Sequence, residues 1–217
     1  MHVIDWELWP EKPPKSEAKS LKELDTIPEH YVITVGRISH VKGTWETLHS
    51  LKDTGLALVQ VGGGEESDKA ALMAEGMRTG VNVICMPRLS QTQLCGLIRG
   101  ARAMVSHAHH EPFGLTPIEA MASGLPSVVS DWNGYKDTIR NGIDGYRISS
   151  IMPNEGFGND LALRYALEID TYDMYIGHTS NLISIDIAET TRAFTKLINN
   201  PKLRKVMGEN AKARCKS

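Results

Sequence analysis

Two carboxylates, Glu111 and Glu119, stand eight positions apart around the turn Pro112-Phe113-Gly114 and the helix-opening pair Thr116-Pro117. The apolar run Ala103-Met104-Val105 leads into this segment, and Met121-Ala122-Ser123-Gly124 closes the helix behind it. Strand, loop and helix start in that order make a place where backbone amides hold a phosphate. The partial positive charge of the helix tip favours an anion there. The acids then sit at the rim and on the first helical turn, suited to a charged nucleotide with something polyhydroxylated attached. Each acid also has an ordinary reading. Thr116 and Glu119 have capping-box spacing, and Glu111 before Pro112 is a plain loop charge.

Other segments offer matching chemistry. Gly36-Arg37-Ile38-Ser39-His40-Val41-Lys42-Gly43 carries two cations five positions apart beside flexible glycines. Arg37 through its fork and Lys42 as a point charge can converge on one pyrophosphate, although an isolated pair of this kind is more often solvated surface charge. Gly62, Gly63 and Gly64 permit close backbone approach to a ligand, or a tight turn, and do not fit the dinucleotide fingerprint. Pro87-Arg88-Leu89-Ser90 reads either as the lining of a nucleobase pocket or as a helix entry capped by its serine. In Ser106-His107-Ala108-His109-His110-Glu111 three histidines and a carboxylate suggest a metal, but no convergent ligand set accompanies them. They read as polar rim residues, one of them contacting sugar.

The elements that must position these residues follow a regular rhythm. Short apolar, β-branched runs at Tyr31–Val35, Leu56–Val61, Val81–Met86, Ala103–Ser106 and Ser127–Ser130 predict strands covered on both faces. A weaker strand is expected at Tyr146–Ile148. Between them, Thr44–Leu51, Asp68–Arg78, Gln91–Arg99 and Pro117–Ala122 have helical character. This alternation predicts an α/β fold with a doubly wound, parallel, Rossmann-like sheet. Ligands of such sheets bind beyond the carboxyl ends of the strands, where the strand order reverses, which is where the segments above lie. After Ser149 the pattern predicts a loop over Met152–Asp160 and a helix over Leu161–Ile169. A helix from Asp186, its N-cap, to Asn199 follows, with a last helix opening at Asn200-Pro201. Residues 1–28, with Trp6 and Trp9, read as an irregular arm, and 29–217 as the domain.

The totals exclude several classes. The chain has 217 residues, 23% of them charged, with a formal net charge of -2. That balance, without a basic cluster, argues against nucleic-acid partners. Cys85, Cys95 and Cys215 share no metal-type spacing and suggest a reducing compartment. No stretch has the length and apolarity of a transmembrane segment or signal peptide. Cytoplasm is the expected location, peripheral to the inner face of the membrane if the acceptor is a lipid.

Arg37-x4-Lys42 after a first strand, a glycine-rich turn after a second, and EPFGLTPIEAMASGLPSVVSD together resemble the donor half of retaining GT-B glycosyltransferases, group 1 (family 4). The resemblance runs from about Tyr31 to Ile148. It implies a C-terminal, donor-binding domain that takes a sugar from a UDP- or GDP-linked donor, with no resident cofactor or metal. Arg37, Lys42 and the amides of Gly114, Leu115 and Thr116 would bind the diphosphate. Glu119 would accept from the ribose, Glu111 would face the transferred sugar with His110 and Phe113 near it, and Arg88 and Leu89 would lie against the base. Gly62 and Gly63 would be the donor loop. The segment Trp132–Thr138 stands where many relatives carry Gly-Gly-x-x-Glu, so that contact is altered.

A complete enzyme of this family has an acceptor domain ahead of the donor domain, which residues 1–28 cannot supply. The expected partner, besides the donor, is therefore a missing N-terminal acceptor domain, in cis or as a separate subunit. Two other readings keep the fold: a non-catalytic subunit that binds a nucleotide sugar, and a sugar-nucleotide epimerase or phosphorylase.

Overall fold

A computed structural model describes residues 27–152 and 157–216. The arm with Trp6 and Trp9 lies outside the described residues, apart from its last two positions. Six strands, β1 (Tyr31–Val35), β2 (Ala57–Val61), β3 (Val83–Met86), β4 (Ala103–Ser106), β5 (Ser127–Ser130) and β6 (Gly145–Ile148), form one sheet in the order β3-β2-β1-β4-β5-β6. Every pairing is parallel, with Ile33 beside both Val59 and Met104. Successive side chains point to opposite faces, and helices cover both, so continuous apolar runs are what this sheet requires. Val32, Ile33, Leu58, Val59, Met104, Val105, Val128 and Val129 are wholly buried.

Around the sheet run α1 (Thr44–Ser50), α2 (Glu66–Thr79), α3 (Gln91–Gly100), α4 (Leu115–Ala122), the short α5 (Tyr135–Thr138), α6 (Phe157–Ala166), α7 (Tyr172–Ser180), α8 (Ile187–Asn199) and α9 (Pro201–Lys216). One face packs Ile33, Val59 and Met104 against Leu97 and Ile98 of α3 and Ile118 and Ala122 of α4. The other packs Val32, Leu58, Val105 and Val128 against Leu48 of α1, Leu72 of α2 and Phe194 and Leu197 of α8. A small antiparallel pair, β7 (Ser150–Ile151) with β8 (Ser184–Ile185), lies outside the main sheet.

The structure departs from the sequence expectation beyond Ser149. Helix α6 begins at Phe157, inside the stretch read as loop, and ends at Ala166. It ends early because Glu168 takes a left-handed φ of 58°, which swings Asp170 back onto Arg164 in a bidentate pair. Helix α7 was not foreseen. Its signal is Thr171, whose hydroxyl oxygen accepts from the Met174 N–H at 3.3 Å, a cap without the glutamate or glutamine that completes a box. Helix α8 starts as expected, Asp186 Oδ1 accepting from the Glu189 N–H at 2.7 Å.

The winding reverses between β1 and β4. The loops leaving these neighbouring strands turn to opposite faces, which opens a crevice at their carboxyl ends.

Candidate functional site

The loop after β1 is stitched to the loop after β2. The Gly36 N–H donates to Val61 O at 2.9 Å and the Ile38 N–H to Gly63 O at 3.2 Å, while buried Gln60 donates from Nε2 to Gly36 O at 2.8 Å. Gly62, at φ 128°, comes so close that a Cβ there would sit 2.5 Å from Gly36 O, so a side chain at 62 would part the two loops. Ile38 is buried and anchors the loop. Exposed Arg37 projects from it.

The chain then makes a 3-10 turn over His40–Lys42, with the Ser39 hydroxyl oxygen accepting the Lys42 N–H. It leaves through Gly43 at φ 62°, where a Cβ would lie 2.1 Å from His107 O. This contact sets Lys42 against the exit of β4. Lys42 Nζ lies 2.9 Å from Glu111 Oε2, and Glu111 Oε1 accepts the Gly114 N–H at 3.3 Å. One carboxylate thus spans a cation and the amide at the tip of α4. The pair is partly exposed, so its own contribution to stability is modest.

The tip itself differs from the expected capping box. Gly114 is the N-cap of α4, at φ 85° and ψ 60°, with no side-chain cap. Thr116 is already the second helical residue, which puts Glu119 too deep in the helix to reach back. The box expected at Ser90 and Gln93 does form, with bonds of 3.4 and 3.1 Å. Pro117 has no N–H to leave unpaired in the first turn, so Leu115 and Thr116 carry the donors that point out of the helix there.

Behind Glu111 the segment Trp132–Thr138 acts as a brace. The Gly134 N–H donates to Glu111 O at 3.1 Å. Tyr135 is fully buried, its hydroxyl paired with Ser106 Oγ and its ring against Gly114. Burial drives the Tyr135 phenol well above its ordinary pKa. Sequence reasoning saw an altered contact here and missed the brace.

Two of the three histidines, His107 and His109, are not rim residues. His107 is wholly buried, Nδ1 lying 3.1 Å from Thr47 Oγ1 of α1 and Nε2 3.3 Å from Thr190 Oγ1 of α8. Burial pushes its pKa down to about 4, so the ring is neutral and fastens two helices to β4. His109, also buried, donates from Nδ1 to Ser180 O at 3.0 Å, and its Nε2 lies 3.4 Å from Glu46 Oε1. Burial alone would raise the Glu46 carboxyl, but hydrogen bonding to His109 and to the Glu46 backbone takes it below its usual value. His110 alone is half-buried near Glu111. Among the described residues no three His, Cys, Asp or Glu side chains converge as a metal set.

Beside this braced tip lies a cleft of about 450 Å³ at the reversal of the sheet. Arg37, Gly62, Gly63, Arg88, Leu89, Thr116 and Glu119 line it, together with Val35, Gly36, Val61, Gln91 and Leu94. Four segments separated by up to 84 positions in the chain therefore meet in one place. Lys42, His110, Glu111, Phe113, Gly114 and Leu115 do not line this cleft; they form the adjoining rim, with Phe113 and Leu115 exposed. Gln91 and Leu94 were not foreseen, although the predicted start of α3 places its first turn at this end of the sheet. Glu119 has no hydrogen-bond or ion-pair partner among the described residues, and burial lifts its pKa to about 7. A half-buried acid left unpaired in a cleft is a costly arrangement, typical of a ligand site.

The model of a family described as glycosyl transferases group 1 matches residues 17–154. The chain is 30% identical over 142 residues to a glycogen synthase of Mycobacterium tuberculosis, covering 63% of this chain and 34% of that protein. It is 31% identical over 150 residues to a D-inositol 3-phosphate glycosyltransferase of Segniliparus rotundus, covering 64% and 33%. Among solved structures, Anabaena Alr3699/HepE in complex with UDP and glucose aligns with a TM-score of 0.70 over 98% of this chain and 50% of that one. At 18% identity this last likeness concerns the fold. The matches span about a third of the length of these curated relatives and half of the solved chain.

Proposed function

Since the chain belongs to the glycosyl transferases group 1 family, we propose that it is the C-terminal, donor-binding half of a retaining GT-B glycosyltransferase of family 4. It holds a UDP- or GDP-linked sugar while a separate acceptor domain, in the same polypeptide or a partner, brings the hydroxyl to be glycosylated. The observation that carries this reading is the convergence of Arg37, Arg88, Thr116 and unpaired Glu119 on one cleft at the reversal of the sheet. The neighbour solved with UDP and glucose supports a nucleotide sugar as the ligand.

In this reading Arg37 and the outward amides of Leu115 and Thr116 take the diphosphate, and Lys42 joins them once Glu111 lets go. Glu119 accepts from the ribose hydroxyls, and Leu89 lies against the base. Glu111, freed from Lys42, turns to the sugar beside His110 and Phe113. Transfer breaks the bond between the anomeric carbon and the phosphate oxygen, and the electron pair leaves with the diphosphate. Arg37, Lys42 and the helix tip stabilise that growing charge, so neither metal nor cofactor is required. The acceptor hydroxyl attacks on the same face and gives its proton to the departing phosphate, which retains the configuration. Water must be kept from the oxocarbenium-like centre, so the donor half by itself should turn over poorly. Among the described residues no helix is long and apolar enough to cross a membrane. A cytoplasmic site of action, peripheral to the membrane for a lipid acceptor, fits the proposal.

Titration calorimetry of UDP and GDP against the chain and against Lys42→Ala tests it. Loss of a charged contact, worth about 1.5–3 kcal/mol, should weaken binding roughly ten-fold or more. Unchanged affinity in a folded Lys42→Ala/Glu119→Ala double variant would refute the site assignment.

A further inference from the structure

Arg88 sits in the loop after β3, on the sheet edge, while the tip of α4 stands over the centre. β2 and β1 separate β3 from β4, the strand that leads into α4, so the two exit loops lie about 14 Å apart across the sheet, three strand spacings of roughly 4.8 Å each. A nucleoside whose phosphates sit at the α4 tip and whose ribose meets Glu119 reaches its base toward Arg88. At that end Leu89 and Leu94 line the cleft and pack on the core beneath, which gives the base a firm apolar face. The polar groups offered there are the Arg88 guanidinium and the Gln91 amide.

Arg88 shares with Arg37, the other arginine lining the cleft, a lack of any carboxylate partner among the described residues. Arg78, Arg102, Arg140 and Arg164 are each held by a carboxylate. Arg88 is exposed and has no hydrogen-bond or ion-pair partner among the described residues. Among the described residues the one carboxylate lining the cleft is Glu119 on α4, so none of them offers a carboxylate acceptor at the base end for a base's N–H groups. The Gln91 amide can donate or accept, while the charged Arg88 fork pairs only with acceptors on the base. Guanine presents O6 and N7 side by side, a pair that fits the two parallel N–H groups of an arginine fork. Adenine sets an amino donor beside N7, and uracil sets a C–H beside O4, so each offers the fork a single acceptor.

We infer that Arg88 reads the nucleobase and selects guanine, which makes a guanosine-diphosphate sugar the preferred donor. This rests on the donor-site reading and narrows it.

Calorimetry on the whole chain decides the matter, with GDP, inosine diphosphate, 7-deaza-GDP, UDP and ADP as probes. Inosine diphosphate keeps O6 and N7, whereas 7-deaza-GDP lacks the N7 acceptor. GDP and inosine diphosphate should bind at least about ten-fold tighter than UDP and ADP, with 7-deaza-GDP falling toward UDP. Arg88→Met, on an exposed loop, should cancel that preference, lowering GDP and inosine diphosphate binding at least about ten-fold more than UDP binding. Tightest binding by UDP or ADP, or a guanine preference that survives Arg88→Met, overturns the inference. So does an equal loss for every diphosphate in the variant, which would make Arg88 a phosphate contact. If no diphosphate binds the unaltered chain, the donor-site reading itself fails along with it.

Discussion

Alanine at position 114 is expected to abolish nucleoside-diphosphate binding and to lower the melting temperature by roughly 4–20 °C, the range for a domain of this size losing about 2–5 kcal/mol. Two independent terms produce the loss. Gly114 holds φ at 85°, and a left-handed conformation costs an ordinary L-residue about 1–2 kcal/mol. A Cβ there would also lie 2.6 Å from Cε1 of Tyr135, and overpacking of this kind costs about 1–3 kcal/mol. The ring has no room to withdraw, since it is wholly buried and its hydroxyl is tied to Ser106. Relief must come from the tip of α4, which would shift the Gly114 amide and the Glu111 carboxylate it holds. Scanning calorimetry and ligand titration of Gly114→Ala measure both effects. Gly177→Ala, on α7 and outside the cleft, is the control, because a Cβ there meets nothing within 4 Å. Equal melting temperatures and affinities for the two variants would remove Gly114 from its proposed role.

Glu119→Gln should produce a chain that is more stable at alkaline pH and binds nucleotide worse. Burial raises the Glu119 pKa from 4.5 to about 7 in the folded chain, so between those pH values the native state holds a proton that the unfolded state has released. Stability contributed by this group is therefore full below the unfolded value, falls as pH rises toward 7, and stays lost above it. Glutamine carries no such titration. The melting-temperature difference, variant minus parent, should grow between pH 5 and 7 and then hold level. Ribose hydroxyls donate best to the ionised carboxylate, so the parent's affinity should rise as pH passes through about 7, where the native carboxyl ionises. The variant should bind about ten-fold or more weakly at pH 8, where a charge-assisted bond is lost. A melting-temperature difference that does not vary with pH would show that Glu119 is not the buried, unpaired acid described here.

The sheet was readable in the sequence because its physics is local. Runs such as Tyr31–Val35 and Ser127–Ser130 are apolar without alternation, and only a strand covered on both faces needs that. The positions of Arg37, Arg88 and Glu119 followed from the same logic, since each comes just after a strand or at the start of the helix behind it. What could not be read was set by contacts distant in the chain. Thr116 and Glu119 have the spacing of a cap, yet Tyr135, nineteen residues beyond Thr116, presses on Gly114, which begins the helix earlier than that spacing assumes. His107 and His109 look like ligands in a list of residues. Thr47, Thr190, Glu46 and Ser180, from three other helices, make them fasteners instead. Helix α7 escaped notice because its cap at Thr171 lacks the reciprocal side chain that makes a start recognisable.

The grip of Glu111 on Lys42 has a consequence for how any anion arrives. The lysine is already neutralised from within the molecule, so an incoming phosphate displaces a resident charge instead of meeting a bare one. Each side of that exchange is screened by dissolved ions to a similar degree. The equilibrium should then depend only gently on ionic strength, and Glu111→Gln, by exposing the lysine's field to solvent, should make the dependence steep.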